Sequence, residues 1–437
     1  MRFYLNTLGC KINQYESQVL REAWQRCGHV ETEDPGLAEV LCINSCAVTE
    51  RAVQDVRRAA RRLRSWSPGA TLIVTGCAAG LLSDEAETLP AETRLVPQGE
   101  KAFLGERLEY ALADGRIADG PELPEQPGPG ITWYPRARPV LKVQDGCSRG
   151  CTYCIVPLTR GPARSRAPQD ILAEARQLAD QGYPELVVSG INLAQYTRAD
   201  HGLADFWDLV QWLDRELSRD PGQAVRLRLS SLDPAQLRDK ALKVLAGSRL
   251  ICPHLHISLQ SGSQRILERM GRGRSNPDRL AGFLEGLGSV WPVFGLGADM
   301  LLGFPGEEPE DFRQSYRIVS ELPFSYAHVF TYSSRPGTAA ACLPDPVEPA
   351  IRKERSRELR SLVSRKREQF MARVLQEVQQ LQVVLEGGEP AHGLCEHYVQ
   401  CSFEPDPHQS GNGTLASARP VGRTARGGLL VEPVQTL

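Results

Sequence analysis

The sequence predicts an α/β protein that ends in a small all-β unit. Three observations carry this. Strand-like apolar runs alternate with helical patterns over most of the chain, a segment at 119–139 dense in proline and glycine interrupts the alternation, and residues 380–437 turn to short strand-like runs separated by Gly, Pro and Asn. With 41% apolar and 24% charged residues among 437, the composition is that of an ordinary globular chain long enough for several domains. No run approaches the ~18 consecutive apolar residues of a membrane helix. The first residues show neither the basic nor the apolar region of a secretory signal, so a cytoplasmic location away from membranes is expected.

Residues 3–8 read as the first strand, and Asn13-x-x-Glu16 reads as a capping box opening an amphipathic helix to Cys27. Further strands are expected at 40–43, 71–74 and, weakly, near Leu95, with helices over 47–65 and 100–113. Alternation of this kind implies a parallel sheet covered on both faces, a flavodoxin-like first domain over residues 1–118. After the linker at 119–138, strands are placed at 140–143, 186–189, 226–229, 254–259, 294–300 and 327–331. Six strands suit an incomplete (β/α) barrel over 139–373, with its site at the strands' C-terminal ends. A basic helix over 349–377 leads to strand-like runs at 382–386, 396–403, 413–420 and 429–432, a small OB-like barrel spanning 374–437.

A net charge of −2 gives no wholesale attraction for nucleic acid, but the charge is unevenly spread. Residues 83–128 carry a net −7, whereas residues 51–66 hold six arginines against one aspartate, and 351–373 hold nine basic against three acidic side chains. Arg57, Arg58, Arg61, Arg62 and Arg64 are therefore candidates for phosphate contact, set against the ordinary reading of a solvated helix face.

The twelve cysteines are informative through their placement. In a reducing compartment clustered thiols point to metal or catalysis rather than disulfides. Cys147-x-x-x-Cys151-x-x-Cys154 follows the first barrel strand directly and offers three thiolates on one loop. Three thiolates suit a [4Fe–4S] cube with one iron open, whereas zinc would want a fourth Cys or His that is absent nearby. Cys10, Cys46 and Cys77 each follow a strand of the first domain, where loops of an open sheet converge on one crevice. They are expected to hold a second cluster. Cys27, Cys42, Cys252, Cys342, Cys395 and Cys401 read as small buried hydrophobes. Isolated histidines such as His29 and His392 suggest no site, and no nucleophile–His–acid constellation stands out.

The run Lys142-Val-Gln-Asp-Gly-Cys147-Ser-Arg-Gly-Cys151-Thr-Tyr-Cys154 resembles the signature of radical S-adenosylmethionine enzymes. Thr7-Leu-Gly-Cys10, Asn44-Ser-Cys46-Ala-Val and Thr75-Gly-Cys77 are similar to the N-terminal domain of methylthiotransferases. The resemblance continues through His256-Ile-Ser-Leu-Gln-Ser-Gly-Ser263 and Asp299-Met-Leu-Leu-Gly-Phe-Pro-Gly-Glu307 to a C-terminal TRAM-type barrel. Around 189–193 and 328–337 the chain looks most like the branch acting on threonylcarbamoyladenosine at position 37 of tRNA.

This resemblance implies two [4Fe–4S] clusters, S-adenosylmethionine cleaved reductively to a 5′-deoxyadenosyl radical, a tRNA substrate, and an electron donor such as flavodoxin or ferredoxin. It also marks Gly190, Asn192, Gln260 and Ser261 as candidates for holding S-adenosylmethionine, and Gly303, Pro305 and Gly306 as a turn beside the adenine or a turn only. Competing readings are the same chemistry on isopentenyladenosine tRNA or on a ribosomal protein aspartate, and, outside catalysis, a two-cluster electron carrier or an RNA-binding module. Electron carriers usually close all four iron sites with cysteine, which two three-cysteine sets do not.

Overall fold

The computed structural model describes all residues except 107, 109–111, 113–129, 220–224, 405–412, 426 and 435–437. The first part of the expected linker, much of the second half of the helix expected at 100–113, and the stretch just before the strand expected at 413 lie outside the described residues. Contacts group the chain into two units. One joins Met1–Thr132, Lys142–Ile171 and Ser333–Ala341; the other joins Trp133–Leu141, Leu172–Tyr332 and Cys342–Leu437. The loop bearing Cys147, Cys151 and Cys154 thus groups with the N-terminal sheet, unlike the expected division at 118 and 139.

In the first unit, strands β1 (Arg2–Thr7), β2 (Val30–Glu31), β3 (Val40–Ser45), β4 (Thr71–Gly76) and β5 (Arg94–Pro97) form a parallel sheet in the order β2-β1-β3-β4-β5. Side-chain alternation along each strand explains the two layers that cover it. Val40, Cys42 and Ile73 join Phe3, Leu20, Trp24 and Leu104 on one face, under α1 (Lys11–Arg26). Leu41, Ile43, Leu72 and Val74 join Val53, Val56, Ala60 and Leu63 on the other, under α2 (Glu50–Trp66). Helix α2 starts at Glu50 rather than 47 because the Thr49 hydroxyl caps it, accepting from the Ala52 N–H at 3.1 Å; such a cap contributes ~1 kcal/mol. The short helices α3 (Ala79–Leu82) and α4 (Lys101–Glu106) follow β4 and β5.

The expected capping box is not formed. Cys10 is the N-cap of α1, its side chain accepting no backbone N–H as a cap, and Asn13 and Glu16 lie inside the helix, both buried. Strand β6 (Val140–Asp145) enters the first unit at Lys142, and its end pairs antiparallel with β7 (Arg164–Ser165). Between them run the cysteine loop and the short helix α5 (Val156–Arg160).

In the second unit all five remaining expected barrel strands are present. β8 (Glu185–Gly190) pairs parallel with β9 (Arg226–Leu229), and β10 (His254–Gln260), β11 (Gly295–Leu302) and β12 (Tyr326–Thr331) form a second parallel sheet in that order. Among the described residues, isolated bridges, Leu227 with Ile251 and Leu232 with Ile257, join β9 and the turn after it to the chain around β10. The strands alternate with helices α6 (Pro168–Asp180), α7 (Phe206–Leu217), α8 (Asp239–Gly247), α9 (Gln264–Arg269), α10 (Pro277–Val290) and α11 (Pro309–Glu321).

Helix α12 (Pro349–Glu377) then leads to a closed five-stranded barrel. Its strands are β13 (Leu381–Gly387), β14 (His392–Cys395), β15 (Gln400–Phe403), β16 (Leu415–Arg423) and β17 (Leu429–Pro433). Of the run expected at 396–403 only Gln400–Phe403 is strand, and β14 lies ahead of it. Tyr398, at φ +63°, sits in a tight turn where the Cys395 N–H bonds the Val399 carbonyl at 3.1 Å, separating β14 from β15. Phe370, Met371 and Val374 of α12 pack with Leu381, Val383, Cys401, Phe403 and Val431 in the barrel core, so the helix runs unbroken through the expected boundary at 374. No described helix is long and apolar enough to cross a membrane.

Candidate functional site

The order β2-β1-β3-β4-β5 reverses direction at β1/β3, the switch point where open α/β sheets leave a crevice at the carboxyl ends of their strands. Cys10 follows β1 and Cys46 follows β3, on either side of that point; Cys77 follows β4 next to it. Cys10 is exposed, while Cys46 and Cys77 are buried. Gly9 has φ +108°, and a Cβ there would stand 2.6 Å from Cys46 Cβ and 3.1 Å from its Sγ. Residue 9 must therefore be glycine for the Cys46 side chain to lie against it. Burial pushes the Cys46 thiol up, and the neighbouring Cys10 and Cys77 push it the same way. The structure brings the three together.

Polar side chains tie these loops. Asn13 donates from Nδ2 to the carbonyls of Leu8 at 2.9 Å and Ser45 at 2.8 Å. The Ser45 hydroxyl donates to the Thr75 carbonyl at 2.5 Å and accepts from the Ala78 N–H at 3.1 Å.

The second set is held in the same unit. The Cys147 N–H donates to the Gly161 carbonyl and the Cys154 N–H to the Cys151 carbonyl, both at 3.0 Å, and the Ala340 N–H donates to the Thr152 carbonyl at 2.8 Å. The Arg149 N–H donates to Cys147 Sγ at 3.4 Å. Among the described residues, neither cysteine set closes to the 4.8 Å mutual spacing of ligand atoms around a single ion.

A buried charge network lies against these residues, and sequence reasoning missed it. Arg160, with its side chain 1% exposed, donates from Nε to Cys77 Sγ at 3.2 Å and from Nη1 to Glu16 at 2.7 Å and Asp145 at 2.9 Å. Its Nη2 reaches Asn13 Oδ1 at 2.8 Å. Lys101 Nζ stands 2.7 Å and Lys142 Nζ 3.1 Å from Glu16, and Lys142 also bonds Asp145 at 2.6 Å. Burial alone would push the Glu16 carboxyl up, but Arg160, Lys101 and Lys142 hold it well below the usual range. Three cations face two carboxylates, leaving one positive charge in surplus beside Cys77. A low-dielectric surplus of this kind favours an anionic group bound beside it. The signal in sequence was the spacing of Asn13 and Glu16 on one helix face, which reads equally as a cap.

The remaining candidates fall in different settings. Gly190 ends β8, and Asn192 follows it, its Nδ2 3.3 Å from Gln195 Oε1. Gln260 ends β10 at φ +71°, a conformation disfavoured for a residue with a side chain and concentrated at functional sites. Ser261 is 1% exposed, with its hydroxyl engaged by Ser315 Oγ at 3.3 Å and the Ser263 N–H at 3.1 Å. The turn is packed on arginines of its own unit, Gly303 on the Arg352 stem and Gly306 on the Arg269 guanidinium.

Of the arginines on α2, Arg57 bonds Thr88 Oγ1 at 3.1 Å and pairs with Glu85, Arg61 bonds the Thr88 carbonyl at 3.2 Å, and Arg64 bonds the Ala70 carbonyl at 2.7 Å. Arg58 pairs with Asp55, and Arg62 stacks 5.1 Å over the Trp66 ring; both are exposed. Cys42, Cys252, Cys395 and Cys401 are buried as expected, with burial pushing Cys42 and Cys252 to about 12. Cys27 and Cys342 are exposed, contrary to expectation, because the former caps α1 and the latter ends a surface turn.

Residues 141–319 match the Radical SAM superfamily, and residues 2–97 match the family described as Uncharacterized protein family UPF0004. The threonylcarbamoyladenosine tRNA methylthiotransferase MtaB of Thermotoga maritima is 34% identical over 80% of this chain and 79% of its own. The protein of the same name from Chlamydia pneumoniae is 33% identical over 99% of this chain and 98% of its own. Among solved structures, the radical S-adenosylmethionine methyltransferase TsrM from Kitasatospora setae superposes with a TM-score of 0.54 over 78% of this chain and 77% of its own, at 16% identity, a likeness of fold alone. The cysteine placement and these relatives agree: the chain belongs to the radical S-adenosylmethionine methylthiotransferases, a family of iron–sulfur tRNA-modifying enzymes.

Proposed function

We propose that the protein methylthiolates C2 of N6-threonylcarbamoyladenosine at position 37 of tRNA, giving the 2-methylthio derivative. The observation that carries the reading is the convergence of Cys10, Cys46 and Cys77 at the sheet's switch point, against the surplus positive charge of the Arg160 network. Cys147, Cys151 and Cys154 hold the cluster that binds S-adenosylmethionine; Cys10, Cys46 and Cys77 hold the auxiliary cluster. When bound, these groups supply a carbon-centred radical and a sulfur donor, because the C2–H bond is inert to acid–base chemistry.

The chain's own residues position and neutralise. Arg160 offsets the negative charge that collects on Cys77 and fixes the Asp145 end of β6, from which the cysteine loop departs. Gly190, Asn192 and Gln260, at or just beyond strand ends, hold S-adenosylmethionine, while Ser261 keeps the Gln260 turn rigid. The tRNA contacts Arg58 and Arg62, two of the exposed arginines of α2, and the C-terminal barrel. A flavodoxin- or ferredoxin-type protein supplies electrons in the cytoplasm.

Mass spectrometry of tRNA nucleosides from cells with and without the gene tests the substrate. Loss of 2-methylthio-threonylcarbamoyladenosine with the isopentenyl derivatives unchanged is the expected result. Loss of the isopentenyl product instead would move the assignment to the sister substrate.

A further inference from the structure

The three-stranded sheet of the second unit carries an imidazole–carboxylate cluster that the proposed reaction does not use. Registry places His256 of β10 opposite Gly297 of β11, which stands opposite Tyr326 of β12; one rung on, Asp299 stands opposite His328. Residues two apart on a strand share a face, so His254 with His256, Gly297 with Asp299, and Tyr326 with His328 all line one side of the sheet. His256 Nε2 lies 3.0 Å from Asp299 Oδ1, and one ligand atom from each of His256, Asp299 and His328 falls within 4.8 Å of the others.

The other ring nitrogen of His256 is already committed. Its Nδ1 lies 2.9 Å from the Tyr326 hydroxyl, which also lies 2.9 Å from His254 Nε2. Gly297 makes this possible, since a Cβ there would stand 2.4 Å from the Tyr326 hydroxyl oxygen and 2.5 Å from His256 Nδ1. With Nδ1 held by the Tyr326 hydroxyl, Nε2 is aimed at the carboxylate, a pairing that a proton or a metal cation can bridge. A hydrogen bond to the far nitrogen of a histidine is the usual support of a metal-bound imidazole, fixing its tautomer.

We propose that His256 Nε2, the Asp299 carboxylate and an imidazole nitrogen of His328 bind a divalent first-row transition-metal ion separate from both iron–sulfur clusters. Two imidazoles and one carboxylate give three protein ligands and leave coordination positions open, as in sites that take up a further ligand rather than closed structural ones. His256 is buried, Asp299 half-buried and His328 exposed, so the open positions lie on the His328 side.

Cobalt(II) is the probe, added at pH 8 to holoprotein whose cysteines are occupied by reconstituted clusters. Wild-type protein is expected to bind one equivalent in equilibrium dialysis, and the magnetic circular dichroism difference spectrum against cobalt-free holoprotein to show nitrogen and oxygen ligation and no cobalt–thiolate charge-transfer band. Asp299→Asn and His328→Ala should each abolish that equivalent, and Tyr326→Phe should weaken it ~10–100-fold. His328 is exposed, so its variant keeps the fold, which circular dichroism and retained iron content verify. No stoichiometric binding by wild type would leave a proton between His256 and Asp299 and overturn the proposal. Equal binding by the His328 and Asp299 variants, or a cobalt–thiolate band in the difference spectrum against cobalt-free holoprotein, would overturn it too. None of these outcomes bears on the tRNA reaction, which the nucleoside analysis tests by itself.

Discussion

Arg160 Nε lies 3.2 Å from Cys77 Sγ while Nη1 of the same guanidinium lies 2.9 Å from Asp145 Oδ1. One side chain thus couples the third cysteine of the N-terminal set to the strand end that launches the Cys147 loop. A cation hydrogen-bonded to a cluster sulfur stabilises the reduced, more negative state. Arg160→Gln is expected to shift the auxiliary cluster to a more negative midpoint potential, and Arg160→Lys to restore part of the shift. Redox titration followed by electron paramagnetic resonance reads this; an unchanged or more positive potential would remove Arg160 from that role.

The two cysteine sets should separate by substitution. Cys46→Ala is expected to lose about half of the bound iron, because one of two four-iron clusters goes. It should still convert S-adenosylmethionine to 5′-deoxyadenosine yet attach no sulfur to RNA. Cys151→Ala should keep the auxiliary cluster and make no 5′-deoxyadenosine. Iron analysis, Mössbauer spectra and nucleoside mass spectrometry check both variants, and normal methylthiolation by the Cys46 variant would refute the two-cluster assignment.

Helix α2 predicts a graded response to charge reversal. Arg58→Glu with Arg62→Glu should weaken tRNA binding and lower the slope of log K against log salt by ~0.7–0.9 for each phosphate no longer neutralised. Arg57→Glu should mainly lower stability, since that side chain is committed to Thr88 and Glu85. Binding isotherms at several salt concentrations, alongside thermal melts, distinguish the two effects. A salt slope unchanged in the double variant would make the exposed arginines a solvated face only.

Stability of the second unit should fall in mild acid. Burial holds the His397 imidazole at about 4, against 6.5 for an ordinary histidine, with Arg228 and Arg226 pushing the same way. On unfolding it is free to take a proton, so between pH 6.5 and 4 the unfolded state binds more protons and stability declines as pH falls. The full contribution is present above pH 6.5, and the difference corresponds to about 3 kcal/mol. His397→Gln is expected to flatten the pH dependence of urea unfolding across that window. A steep dependence surviving in the variant would assign it to other groups.

Much of this architecture is legible because it is local. Alternating runs such as 40–43 and 71–74 announce buried strands, and cysteines directly after them mark the sheet's carboxyl edge. What escaped is non-local or too short to have a period. Strand β2 is two residues long, at the sheet edge. The turn at Tyr398 depends on a left-handed residue that is not glycine or asparagine, so 396–403 reads as one strand. Glu16 finds partners at positions 101, 142 and 160, which no spacing rule connects. His256, Asp299 and His328 lie on three strands, and only registry brings them side by side. His254-x-His256 alone carried a trace of that face, through its period of two.

Arg226 and Arg228 of β9 give the C-terminal barrel a character that its small size conceals. Arg228 donates to the carbonyls of Cys395 and Glu396, each at 3.0 Å, and Arg226 to that of Gln382 at 2.7 Å, while Glu185 pairs with both. These arginines grip backbone rather than side chains, so the barrel's surface can drift in sequence without loosening its seat. Its removal is another matter. Truncation at 380 would strip four carbonyl acceptors, that of Leu394 included, from two largely buried guanidiniums, and unmet charges of that kind destabilise by several kcal/mol. The barrel is therefore not a detachable cassette that evolution can trade freely between relatives. It can change what it touches, but it stays where β9 holds it.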